Sequence, residues 1–138
     1  MANGIYKVVA KHSGKTLDVN GVSVVDGAIV HQWTYVGGND QKWQVEGLGG
    51  GLYRLAAVHS GKALEVAGTS LADVAQVKQS TWTGGGNQKW KIEDTSGGYY
   101  RLVAEHSNKA LEVGGGPTSL QDGASVVQYQ YGGGDNQR

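Results

Sequence analysis

Histidine recurs in this chain at a fixed interval, with His12, His59 and His106 each 47 residues apart. Imidazoles placed by a threefold repeat can in principle converge on one metal ion. Each of these, however, opens a His-Ser-Gly-Lys or His-Ser-Asn-Lys turn. A residue repeated in a turn of that composition ordinarily serves the turn, so no metal site is expected. Acid chemistry is equally thin. A centre that cleaves glycosides needs two carboxyl groups facing each other across a cleft, and Asp18 with Asp40 is the one pair to nominate. Repetition argues against it, because catalysis needs one asymmetric site whereas binding tolerates three. The chain has no cysteine, hence no thiolate nucleophile, disulfide or thiolate metal site. A phosphate-cradling glycine loop is absent too. The expectation is a protein that is not an enzyme and carries no cofactor.

Composition narrows the partners. A length of 138 residues suits one domain with a real core. Twelve basic and 12 acidic residues leave a formal net charge of zero. There is no field to gather nucleic acid or anionic lipid. No apolar run is long enough to cross a bilayer. Glycine is the outlier at 24 residues against a single proline, and phenylalanine is absent beside four Trp and seven Tyr. That mixture reads as many short strands joined by tight turns, with amphipathic aromatic faces available to something flat and polar.

The elements that must position any site come from one unit repeated three times. Tyr6, Tyr53 and Tyr100 keep the same 47-residue interval, as do Leu17, Leu64 and Leu111. The segments read GIYKVVAKHSGKTLDV, GLYRLAAVHSGKALEV and GYYRLVAEHSNKALEV, giving repeats 4–50, 51–97 and 98–138 in a single domain. Each repeat reads as four short strands: Tyr-Lys/Arg-x-x-Ala; Lys-x-Leu-Asp/Glu-Val; a third such as Ala28 to Tyr35; and a fourth led by the Trp of Gln-x-Trp. No segment keeps a 3.6-residue period, so no helix is expected. Lys15, Lys62 and Lys109 flank the second strand and are expected to cover apolar surface with their stems. The class is all-β with threefold pseudosymmetry, and three four-stranded units are too few for a propeller.

In the order Lys-x-Leu-Asp-Val, an aromatic on the third strand, then Gly-Gly-x-Asn-Gln-x-Trp, the chain resembles the ricin B-type β-trefoil lectins and the bacterial carbohydrate-binding modules of that fold. The copies are KTLDV…HQWTYVGGNDQKW, KALEV…KQSTWTGGGNQKW and KALEV…VQYQYGGGDNQR. The resemblance spans essentially the whole chain. It implies a β-trefoil with up to three shallow sugar sites, each built from a second-strand carboxylate, a third-strand aromatic and an amide just before Gln-x-Trp. Such a set suits a pyranose. An ionised carboxylate accepts two hydroxyl hydrogen bonds, an aromatic ring takes the apolar C–H face, and an amide both donates and accepts.

Carried over residue by residue, the first repeat offers Asp18, His31, Trp33, Asn39 and Asp40. The amide position falls on Asp40, with Asn39 beside it. The third repeat offers Glu112, Tyr129 and Asn136. The second offers Glu65 and Asn87, but Ser80 stands at the platform, so this lobe ranks last unless Trp82 swings in. Trp82 aligns with Tyr35 and Tyr131. Trp43 and Trp90 are expected in the core, and for Trp33 a core place is the competing reading. The resemblance points to galactose, N-acetylgalactosamine or lactose first and xylan-type polymers second. Two alternatives stay open, since fold does not fix function: a protein-interaction or inhibitor trefoil, and a designed symmetric scaffold. Met-Ala-Asn-Gly reads as a start placed before a cloned domain, which leaves localisation open and compatible with a secreted or cell-surface module. In the third repeat the triplet's Trp would follow Arg138, so the last strand is missing from it. The expectation is a natural domain about five to eight residues longer, the size of one strand, with self-association through the incomplete lobe as the alternative.

Overall fold

The computed structural model describes the whole chain, Met1 to Arg138. Eleven strands run in the order β1 (Gly4–Tyr6), β2 (Thr16–Val19), β3 (Val30–Trp33), β4 (Trp43–Gly49), β5 (Leu52–Ala57), β6 (Ala63–Val66), β7 (Val77–Ser80), β8 (Trp90–Ser96), β9 (Tyr99–Ala104), β10 (Ala110–Val113) and β11 (Val126–Tyr129). Short 3-10 turns, among them Asn39–Gln41, Gly86–Gln88 and Asp135–Gln137, are the only helical segments. The strands β1, β4, β5, β8 and β9 form an antiparallel wall in that order, and β2–β3, β6–β7 and β10–β11 are the three hairpins that close over it. This is the β-trefoil, with eleven strands in place.

Local sequence explains the turns and the core. Gly14 and Gly61 sit at φ 71° and Asn108 at φ 59°. The His-Ser-Gly/Asn-Lys turn needs the left-handed conformation that glycine and asparagine tolerate best. Leu17, Leu64, Val19, Val66, Val113 and Leu55 converge with Trp43 and Trp90 on one core. Both tryptophans are fully buried, as expected. Their indole N–H groups donate to the Leu17 and Leu64 carbonyls at 3.0 Å, which removes the penalty of burying that donor.

Two strands are shorter than their sequence suggests. The third strand of the first repeat covers Val30–Trp33, not Ala28 to Tyr35. At Thr34 the backbone leaves the ladder, its N–H donating to Asp122 and its carbonyl accepting from Gln41. The first strand, β1, stops at Tyr6, whereas β5 and β9 reach Ala57 and Ala104. The second half of β5 is paired by β4, whereas Lys7 to Ala10 carries only an isolated bridge, from Val9 to Thr16 of β2.

The lobes are joined by polar side chains in a closed ring. Buried Gln79 donates to the Ser23 and Val25 carbonyls and accepts from Ser60. Gln128 does the same with Ser70, Ala72 and Ser107. Gln32 closes the ring onto Ser119, Gln121 and Ser13. The repeated histidines belong to the same seams. Nε2 of His12, His59 and His106 lies 2.6–2.8 Å from the carbonyl of Ser119, Ser23 and Ser70. A carbonyl only accepts, so Nε2 carries the hydrogen. Asp26, Asp73 and Asp122 reach across to Thr81, Gln130 and Thr34. The ammonium groups of Lys15, Lys62 and Lys109 extend to these carboxylates at 3.1–3.4 Å.

Replacing Gln79 by Leu keeps the volume but removes the three hydrogen bonds that this buried amide makes to Ser23, Val25 and Ser60. A loss of about 3 kcal/mol is expected, read as a lower urea midpoint with unchanged slope.

Candidate functional site

The same small device stands in every lobe. The Gln of Gln-x-Trp accepts two turn N–H groups with its Oε1: Val36 and Gly37 for Gln41, Thr83 and Gly84 for Gln88, Gly132 and Gly133 for Gln137. Its Nε2 donates to a strand-end carbonyl and to the carboxylate on the lobe's second strand. Those contacts are Gln41 to Asp18 at 3.1 Å, Gln88 to Glu65 at 3.0 Å and Gln137 to Glu112 at 3.1 Å. The residue before this Gln is buried beside that carboxylate: Asp40, Asn87 or Asn136. Its approach explains the preceding glycine. A Cβ on Gly38, Gly85 or Gly134 would stand 2.5, 2.7 or 2.7 Å from its side-chain oxygen. Sequence reasoning assigned this Gln no role of its own and missed that it holds the carboxylate. The signal was present as an Asp/Glu-to-Gln separation of 23 residues in the first two repeats and 25 in the third.

The lobes then diverge. In the third, Glu112, Tyr129 and Asn136 line one open cleft of about 460 Å³, walled also by Gly114 to Pro117. Tyr129 is 41% exposed and offers a free ring face. Asn136 donates to the Val113 carbonyl at 3.1 Å, leaving its amide oxygen facing Gly134. Burial raises the Glu112 carboxyl above its ordinary value, opposed by the Asn136 and Gln137 amides.

The first lobe brings Asp18, His31 and Asp40 together as buried neighbours, with Trp33 at the rim. Trp33 is 40% exposed and stacks on His31 at 5.3 Å between ring centres, so it lies outside the core. Asn39 is exposed, one position off the register of Asn87 and Asn136; Asp40 holds that register. Asn87 gives a hydrogen to the Val66 carbonyl. Asp40 has none to give when ionised, and it crowds a second carboxylate. Burial, then the hydrogen bond and charge of Asp40, push the Asp18 carboxyl up to about 7, against the Gln41 amide. Asp18 Oδ1 is buried without a partner. Burial lowers the His31 pKa, against the Asp122 and Asp40 charges. Asp18 and Asp40 thus lie as buried neighbours within one lobe.

The second lobe holds Glu65 beside Gln88 and Asn87, with burial raising the Glu65 carboxyl. Ser80 leaves no platform. Trp82 does not swing in, because Arg54 lies over its ring at 5.0 Å. The aligned Tyr35 and Tyr131 rings carry Lys7 and Arg101 at 4.6 and 4.5 Å in the same way. That cation–π contact is the shared role of the three positions.

A family profile described as ricin-type beta-trefoil lectin domain-like matches residues 1–70 and 39–129. No curated protein matches the chain. Among solved structures, a designed threefold-symmetric protein, ThreeFoil, is similar at TM-score 0.95 and 53% identity, over 98% of this chain and 95% of that one. An exo-beta-1,3-galactanase from Clostridium thermocellum matches at TM-score 0.92 and 40% identity, over 96% of this chain but 28% of the other. The Macrolepiota procera ricin B-like lectin, solved with lactose, shares the fold at TM-score 0.84 and 20% identity, over 99% and 93% of the two chains.

The Asp18 carboxyl is held near 7 in the fold against an ordinary 3.8. The fold therefore favours its protonated form. The stability this contributes is full below about pH 4 and is lost as pH rises through 7. Asp18→Asn should flatten that part of the pH–stability curve and make the protein more stable than the parent at pH 8. Urea midpoints between pH 4 and 8 check this, and a carboxyl carbon of Asp18 titrating near pH 4 would contradict it.

Proposed function

The chain belongs to the ricin-type β-trefoil lectin family, and from that premise we propose that it is a non-catalytic binder of galactose-type sugars with unequal sites. The observation that carries the reading is the third-lobe cleft, where Glu112, Tyr129 and Asn136 line one opening large enough for a single sugar ring. A pyranose can lay its C–H face on Tyr129 while its hydroxyls reach Glu112 and the amide oxygen of Asn136. The 40% identity to a galactanase favours galactose over xylose as the ring recognised. Because the match covers only 28% of that enzyme, it also favours a module that tethers sugar without cleaving it.

The first lobe is the second site, and its affinity depends on pH. Asp18 accepts sugar hydroxyls best when ionised, so binding there strengthens as pH rises through about 7. The second lobe binds least, lacking a platform. Each site is shallow and wet, so strength in use comes from two or three sites on one rigid body.

A second reading, a symmetric scaffold without sugar binding, draws on the 53% identity to a designed protein. Titration with lactose, galactose, N-acetylgalactosamine and xylo-oligosaccharides separates the two. The lectin reading expects a galactoside response, and silence toward every sugar would leave the scaffold. Tyr129→Ala should weaken the third site about tenfold at most, the ring contact being worth about 0.5–1.5 kcal/mol. Glu112→Ala and Asp18→Ala should each remove one site from the stoichiometry, and Glu65→Ala should change little. Loss of all binding in Glu65→Ala alone would overturn the ranking.

A further inference from the structure

Each lobe's candidate site is flanked by a loop from a neighbouring lobe, and in one of these loops a single residue differs in kind. The loops turn through Asp26-Gly27, Asp73-Val74 and Asp122-Gly123. The second residue donates its N–H to the carbonyl of Gln79, Gln128 or Gln32, at 2.8 Å in all three. Its φ is 86° at Gly27, 71° at Val74 and 89° at Gly123. That is left-handed backbone, which glycine adopts freely and a β-branched residue resists. The Asp73 carboxylate is held by Lys109 at 3.1 Å and by the Gln130 N–H at 3.0 Å, so the turn keeps its shape with valine in it.

Core packing does not offset this strain. Val74 is 61% exposed and has no place in the hydrophobic core. It stands instead in the wall of the third-lobe cleft, with Glu112, Tyr129 and Asn136. Its position beside the ring follows from the equivalent lobe. A Cβ on Gly123 would lie 3.8 Å from Cζ3 of Trp33, the platform of the first lobe. Tyr129 holds the same register in the third lobe, since Trp33 pairs with Thr16 at the start of β2 and Tyr129 with Ala110 at the start of β10. Pro117 gives the cleft a further apolar surface. In the second lobe the matching loop offers Gly27 and the platform position offers Ser80. A strained backbone position persists where its surroundings over-determine it, and such positions cluster at ligand sites. Valine therefore stands, against its backbone preference, in the one loop that flanks an open cleft with a free tyrosine face.

We propose that Val74 makes the third-lobe site selective for a galactoside that carries an apolar group beside the ring stacked on Tyr129, either the methyl of an acetamido substituent or a nonpolar aglycone. The inference rests on the sugar-binding reading of that cleft and deepens it. Glu112 and the Asn136 amide oxygen can hold the hydroxyls of any such sugar, so they do not tell a plain galactose from a substituted one. An apolar group gains by leaving water against the Val74 methyls. The first and second lobes present only glycine at this position, and the selectivity belongs to the third lobe alone.

The test is titration of the full chain, of Val74→Gly and of Val74→Thr with galactose, N-acetylgalactosamine and phenyl β-galactoside, following the third site through the Tyr129 amide shift. In the parent chain a substituted sugar should bind about fourfold more tightly than galactose, the worth of one buried methyl. Which of the two does so identifies the group that meets Val74. In Val74→Gly the ratio should fall to about one, and the melting temperature should rise as the backbone strain is released. Val74→Thr keeps the branched shape and exchanges one methyl for a hydroxyl, so the ratio should fall there too, without the rise in melting temperature. A preference that survives either substitution overturns the proposal, and so does a melting temperature that falls in Val74→Gly. Galactose binding with no preference among the three sugars removes the proposal alone. Silence of Tyr129 toward every galactoside removes it together with the sugar-binding reading.

Discussion

One primary amide per lobe connects the interior to the surface. Gln41, Gln88 and Gln137 are buried, and each accepts two N–H groups of the turn behind it and donates twice forward, Gln88 also accepting the Thr83 hydroxyl. A buried amide with any of these missing would carry a desolvation cost comparable to the interaction itself. The glycine-rich turn, the end of the third strand and the second-strand carboxylate are therefore fixed by the same side chain. Two residues on, Trp43 and Trp90 anchor the backbone of that Gln in the core. The site carboxylates owe their positions to packing, through this one intermediary.

A second set of amides holds the lobes to one another. Gln32, Gln79 and Gln128 each bridge to two carbonyls of a neighbouring lobe. The core that a lobe of four short strands can build alone is small, so the lobes depend on each other, as in other repeat architectures. Amides are directional and fix the rotation of one lobe against the next. The histidine and aspartate contacts along the same seams repeat that registration on the outside.

On this common frame the electrostatics of the sites differ by single atoms. Exchanging Asn for Asp at position 40 replaces a donor with a second acid, and the shorter Asp18 sits deeper than Glu65 or Glu112. The result is an Asp18 carboxyl pushed up to about 7 by burial and by Asp40 in one lobe. In the others a longer carboxylate has two amides to hold its charge. Pseudosymmetry of the backbone therefore does not carry over to pseudosymmetry of chemistry.

The 47-residue interval determined the all-β class, the threefold plan, the turns and the buried Trp43 and Trp90, because each follows from local pattern repeated in register. The resemblance named the carboxylate, platform and amide positions, and the backbone places Asp18, Asp40, Glu65, Asn87, Glu112 and Asn136 against the Gln of their own lobes. Tertiary structure alone decided the rest. Trp33 is a rim residue stacked on His31, Trp82 is occupied by Arg54, and the three lysines bridge lobe seams. Each of these depends on a partner from a distant part of the chain, and sequence spacing carries no information about which side chain arrives there first.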